Sequence, residues 1–238
     1  MTPVDPGVLQ ELADANHILF DRGVVDAFGH VSLRHPKRAD CFLLSRNMAP
    51  SLVTAGDILT FDLDYTEING DPRPSYLERF IHGEIYRARP DVMAVVHSHS
   101  PSIVPFTVVR GVQLRPIYHM CGFLGCHTPT FEIRACVGEA SDLLVRDRAL
   151  GEALAASLGA QNFVLMRGHG STAVGTTLRQ AVYRAVFAEM GARMQAAAMQ
   201  LGEVTYLTEA EAAAAAATND GQINRAWGLW LSEANSRH

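Results

Sequence analysis

The chain has 238 residues, 48% of them hydrophobic, with 20 Lys and Arg against 25 Asp and Glu and a formal net charge of -5. That length and apolar content suit one domain with a sizeable core and exclude disorder as the main state. No run of like charge makes a basic patch, which argues against nucleic-acid or membrane partners, and no apolar segment reaches the roughly 18–20 residues that span a bilayer.

The opening residues carry neither a basic stretch nor an apolar signal core, so we expect a cytoplasmic protein. The four cysteines, Cys41, Cys121, Cys126 and Cys136, contain no C-x-x-C pair and are expected as free thiols. An amphipathic helix is predicted over about 6–22 from Leu9, Leu12, Ala13, Asn16, Ile18 and Leu19, with Gly23 as its stop. Short apolar runs at 30–34, 41–45 and 57–63, separated by Pro, Gly, Asn and Asp, read as strands of an antiparallel sheet. A helix over about 75–88 follows Pro74 and closes before Pro90, leading into a buried-type strand at 93–97.

Beyond that point the pattern predicts a strand near 112–116, an irregular glycine-rich stretch at 119–130 and helices over 139–158. Strands at 162–166 and 171–175 and a long helix over 178–201 come next. The alanine-rich segment 209–218 reads as a helix on propensity, followed by another at 222–234 that carries Trp227 and Trp230. No repeat and no linker divides the chain, so 1–238 is taken as a single domain. Its class is α/β, of the α+β-like kind, with a mainly antiparallel or mixed sheet layered between helices.

The ten histidines carry most of the functional argument. His97 and His99 end an apolar strand, and residues two apart on a strand share a face, so both imidazoles can meet one ion. His169 stands between Gly168 and Gly170, where glycine permits positive φ and close backbone approach, and a simple hairpin has no need of an imidazole there. Glu78 opens the helix ahead of the His97 strand; Ser75 and Glu78 also fit a capping box, which would occupy the carboxylate locally. A carboxylate, an H-x-H strand end and a G-H-G turn together match what a three-histidine metal site with an open position needs. His82, four residues after Glu78, is read as a buried structural histidine with a local partner, and His17, His35, His127 and His238 as structural or surface residues.

The order Glu78, His97-x-His99 and, much later, Gly168-His169-Gly170 before a long helix resembles the class II aldolase/adducin family over roughly residues 7–202. The resemblance implies one divalent ion per subunit (Mn, Zn, Co or Fe) on His97, His99 and His169, with Glu78 as a further ligand or as the acid/base. It also implies a nine-stranded, mainly antiparallel sheet between helices and a homotetramer whose C-terminal helices, about 208–235, pack at a subunit interface.

Sugar-phosphate aldolases of that family hold the phosphate with a Gly-Asn pair and a Ser-Ser pair, where this sequence has Gly29-His30 and Tyr76-Leu77. Without those short donors a phosphate dianion would be buried at a cost of several kcal/mol, so a phosphorylated sugar is not expected. In their place stand Tyr76, His30, the loop Ser45-Arg46-Asn47 and the run Pro116 to Gly125 with Tyr118 and His119. This looks like the family's decarboxylase branch, which acts on hydroxylated aromatic or pyridine dicarboxylates. The resemblance then implies Glu78, His30 and His119 as proton-transfer candidates, and Arg46, Asn47, Tyr76 and Tyr118 as substrate contacts. Arg46 is expected to hold the carboxylate that stays. The alternatives, in order, are aldol cleavage of a non-phosphorylated substrate, non-haem iron oxygen chemistry and a non-catalytic adducin-like module.

Overall fold

The computed structural model describes residues 4–237, so His238 lies outside the described residues. Strands β1 (His30–Arg34), β2 (Cys41–Ser45), β3 (Ile58–Asp62), β4 (Ala94–Ser98), β5 (Thr130–Phe131), β6 (Phe163–Met166) and β7 (Gly170–Gly175) form one sheet. Their order is β3-β2-β1-β4-β7-β6-β5, and every pairing is antiparallel except β5 with β6. The sheet thus has seven strands among the described residues, where the resemblance implied nine. The segment predicted as a strand near 112–116 is loop, and residues 139–147 precede a helix without joining it.

The helices are α1 (Pro6–Asp21), α2 (Arg79–Ala88), α3 (Val104–Val108), α4 (Arg134–Val137), α5 (Arg148–Leu158), α6 (Leu178–Leu201), α7 (Glu209–Asp220) and α8 (Ile223–Asn235). Sequence signals set several of their ends. Asp5 accepts the N–H of Gly7 ahead of α1, Asp147 that of Leu150 in α5, and Thr177 that of Gln180 in α6, each satisfying one orphan donor of a first turn.

Strand alternation splits the core into two layers. Val31, Leu33, Ala94 and Val96 face the layer built with α1, α6 and α8, where Trp227 and Trp230 are buried. Val95 faces the other layer, made with α2 and α5 by Ile81, Ile85, Leu150 and Leu154. His30, Ser32 and His97 have the parity of the second layer, so the sheet turns its polar residues toward α2. In register His30 lies opposite His97 and Ser98 opposite Ser171, which brings three central strand ends to one place.

Candidate metal centre and its pocket

Four side chains converge at those strand ends. Glu78, His97, His99 and His169 each offer one ligand atom, all within 4.8 Å of one another. His97 comes from β4, His99 from the first residue beyond it, His169 from the β6–β7 turn, and Glu78 from the residue preceding α2. The turn uses its two glycines differently. Gly168 adopts φ +65°, and at Gly170 a Cβ would lie 2.1 Å from the Ser98 carbonyl oxygen, so only glycine lets β7 approach β4 this closely.

Nε2 of His99 lies 3.2 Å from Nε2 of His97 and 2.9 Å from Nε2 of His169. Oε2 of Glu78 lies 3.6 Å from Nε2 of His97 and 3.5 Å from Nε2 of His169. Imidazoles at about 2.0–2.1 Å from one tetrahedral ion have nitrogen–nitrogen edges of about 3.3 Å, so the spacing fits a divalent cation. Electrostatics agree. Burial, reinforced by His169, holds His97 well below the usual histidine range and lowers His99 as well, which favours the neutral ring that a metal binds. Nδ1 of His97 meets the Ser171 carbonyl at 3.1 Å, an outer bond that assigns Nε2 to the centre.

Glu78 forms no capping box. Its side chain makes no capping bond; instead Oε1 accepts the Val145 N–H at 2.9 Å, across the layer from α2. This corrects the sequence-based alternative in which Ser75 and Glu78 satisfied each other. The local signal was genuine, but a tertiary donor competes for the same carboxylate.

A cavity of about 330 Å³ reaches the ligand set at Glu78 and His99. His30, Asn47 and Tyr76 line it, with Phe28, Leu77 and Leu144 as apolar rim. Phe28 and Leu77, both on this cavity, are 67% and 62% exposed. A wider hollow of about 760 Å³ around Glu84, Arg87, Arg89 and Glu152 has no part of the ligand set, and its charges are paired among themselves or with Arg148, so size does not mark the site.

Of the other residues singled out in the sequence, Arg46 does not line the cavity; its Nε donates to Asp57 at 2.7 Å. Tyr118 and His119 are also outside it: Tyr118 packs against the α1–α6–α8 layer, and His119 is exposed on the 3-10 turn His119–Leu124, under α7. His82 is fully buried, as expected of a structural histidine, yet its partner is the cavity residue His30, Nε2 to Nδ1 at 2.6 Å. His35 is buried and accepts the Lys37 N–H, His17 meets the Val53 carbonyl, and His127 is exposed.

Sequence reasoning missed the supports. Glu189 on α6 accepts the Ser102 N–H at 3.0 Å and the hydroxyls of Ser100 and Ser102, fixing the turn that follows His99. Thr107 accepts the Gly168 N–H at 3.0 Å and steadies the His169 turn. One signal was available: Glu78, His82 and Tyr86 recur every fourth residue, the spacing of one helix face.

Comparison with known proteins gives the family. Residues 10–196 match the model of the Class II Aldolase and Adducin N-terminal domain. The chain belongs to the class II aldolase and adducin family. Among its relatives, Decarboxylase tropJ of Talaromyces stipitatus is 37% identical over 92% of this chain and 91% of its own length. The 3,4-dihydroxyphthalate decarboxylase of a Terrabacter species is 32% identical over 78% of each chain. In fold, an aldolase II superfamily protein from Pseudomonas syringae superposes with a TM-score of 0.81 over the whole of this chain and 95% of its own, at 22% identity. Among the described residues no helix is long and apolar enough to cross a membrane.

Proposed function

We propose that this protein is a divalent-metal-dependent decarboxylase of a hydroxylated aromatic or pyridine carboxylate. The observation that carries the reading is the pairing of an intact Glu78, His97, His99 and His169 set with a cavity that has exchanged short phosphate-holding donors for His30, Tyr76 and Leu77. The relatives named decarboxylases support it. At about 330 Å³ the cavity lies near the lower end of ligand pockets, roughly 300–1,000 Å³, and suits a single substituted ring.

Loss of CO₂ from an aromatic ring leaves an electron pair on carbon, and a divalent ion on the three histidines would supply the sink for it. The chain's own residues do the rest. Phe28, Leu77 and Leu144 pack the ring and thin the water around it. Asn47 orients a polar substituent, while the Tyr76 ring lies 4.6 Å from that of His30 and walls the cavity. Glu78, tethered through Oε1, holds and moves a proton at Oε2 toward the ring carbon that loses the carboxylate. His30, which also lines the cavity, contributes a ring nitrogen.

Within one chain, Arg46, Tyr118 and His119 take no part in this scheme. We further propose a homotetramer with α7 and α8 near a subunit contact, checked by light scattering of the purified protein. The functional test is anaerobic CO₂ release from hydroxylated benzene and pyridine carboxylates by protein loaded with one metal at a time.

A further inference from the structure

His30 is connected to the interior by a row of buried polar side chains that the proposed chemistry does not use. Its Nδ1 lies 2.6 Å from Nε2 of His82, Nδ1 of His82 lies 2.6 Å from Oγ of Ser32, and that hydroxyl lies 2.7 Å from the hydroxyl of Tyr86. His82 and Ser32 are 0% exposed and Tyr86 1%, among the apolar side chains of the α2 layer. Four such groups in a core where Phe42 stacks on His82 are costly unless each is satisfied, so the direction of the hydrogen bonds matters.

The direction follows from the inner end. A neutral imidazole has one N–H and one lone pair, and both ring nitrogens of the fully buried His82 have a neutral partner, Nδ1 at Ser32 Oγ and Nε2 at His30 Nδ1. Among the described residues the hydrogen-bond partner of the Tyr86 hydroxyl is Ser32 Oγ, which is thus the acceptor within reach of the phenol proton. Tyr86 therefore donates to Ser32, Ser32 donates to Nδ1 of His82, and Nε2–H of His82 donates to Nδ1 of His30. The opposite direction would strand the phenol proton in the core, and an unmade buried donor is the more expensive fault.

We infer that Tyr86, Ser32 and His82 are positioning residues that fix one neutral tautomer of His30, so that its Nε2 carries the ring proton and presents a hydrogen-bond donor to the cavity. The donor belongs to a residue that lines the same cavity as Glu78, where a substrate oxygen would lie. Its use in catalysis rests on reading that cavity as the place of carbon–carbon cleavage; the tautomer itself does not. The arrangement follows from two periodicities: His30 and Ser32 two apart on β1, and His82 and Tyr86 four apart on α2.

The experiment is nitrogen–proton correlation NMR of the full-length protein labelled with ¹⁵N in its histidine rings and loaded with diamagnetic Zn²⁺, with the His30 signals assigned by the loss of signal in His30→Gln. We expect Nε2 of His30 to carry the proton and Nδ1 to be bare. In Ser32→Ala the direction loses its source and both tautomers should appear, with bound zinc unchanged. His82→Phe, which keeps a ring in the same space, should act in the same way and serves if the first variant folds poorly. A proton on Nδ1 in the unsubstituted protein overturns the inference, as does an unchanged tautomer in a folded variant. With a substrate in hand, kcat of Ser32→Ala should fall about tenfold, the equivalent of one neutral hydrogen bond, at unchanged KM. If no substrate is turned over, the functional reading fails while the NMR result stands on its own.

Discussion

The Val145 N–H donates to Oε1 of Glu78 at 2.9 Å, and this leaves Oε2 of the same carboxylate facing His97 and His169 at 3.6 and 3.5 Å. One carboxylate is thereby divided between a structural tether and the centre. The tether comes from a residue 67 positions away, so the segment ahead of α5 sets the orientation of the acid. Such a group can move a proton at Oε2 without swinging away, the positioning that general acid–base chemistry needs.

Glu78→Gln keeps a side-chain oxygen for Val145 but removes the proton-carrying oxygen. It should retain a measurable fraction of bound metal while turnover falls by about 100-fold or more. His169→Ala should lose both. Metal content by elemental analysis, read beside kcat, separates the two effects, and full activity in the glutamine variant would remove Glu78 from the chemistry.

The glycines of the His169 turn should fail in different ways. In Gly170→Ala the added methyl meets the Ser98 carbonyl, a backbone atom that cannot step aside, so β7 must move and His169 with it. A loss of about 1–3 kcal/mol or more is expected, together with weakened metal binding. In Gly168→Ala the left-handed conformation alone costs roughly 1–2 kcal/mol, with less effect on the metal. Denaturant titrations with and without metal check both.

Stability should decline on the acid side because of His82. Burial pushes its pKa down to about 3 from the ordinary 6.5, so between those values the unfolded chain binds a proton there that the folded chain does not. Stability is therefore fully present above pH 6.5 and is lost as pH falls toward 3, by at most about 1.4 kcal/mol per pH unit. His30 and His97 act in the same direction. Unfolding free energies measured between pH 7 and pH 4 should show this slope, and His82→Phe should flatten it.

Arg46→Met tests a residue that the sequence suggested as a carboxylate clamp. Its partner is Asp57, and the pair is partly exposed, so the loss should be about 1 kcal/mol or less. KM should stay within about twofold, since Arg46 is not among the cavity residues. A tenfold rise in KM would return it to the substrate.

Much of this was legible in the sequence because the decisive signals are local. Leu178 to Leu201 is the helix expected, the strand at 30–34 lies where its apolar run puts it, and the H-x-H and G-H-G motifs end at one centre. The misses have physical causes. The segment 112–116 has no strand partner in the sheet among the described residues, and its Leu114 is buried instead by side-chain packing. Glu78 satisfied a local capping pattern, and only the tertiary arrangement reveals Val145 as its donor. Glu189 and Thr107 hold the histidine turns from distant elements, and no spacing rule connects residues that far apart.

Metal-dependent loss of CO₂ is tested by CO₂ release under strict anaerobiosis with protein reloaded separately with Mn²⁺, Co²⁺, Zn²⁺ and Fe²⁺ and offered hydroxylated benzene and pyridine carboxylates. CO₂ is expected from at least one ring acid, abolished by metal removal and by His169→Ala and independent of oxygen. No CO₂ from any of them, with metal confirmed on the protein, would contradict it and point to aldol cleavage or oxygen-dependent chemistry.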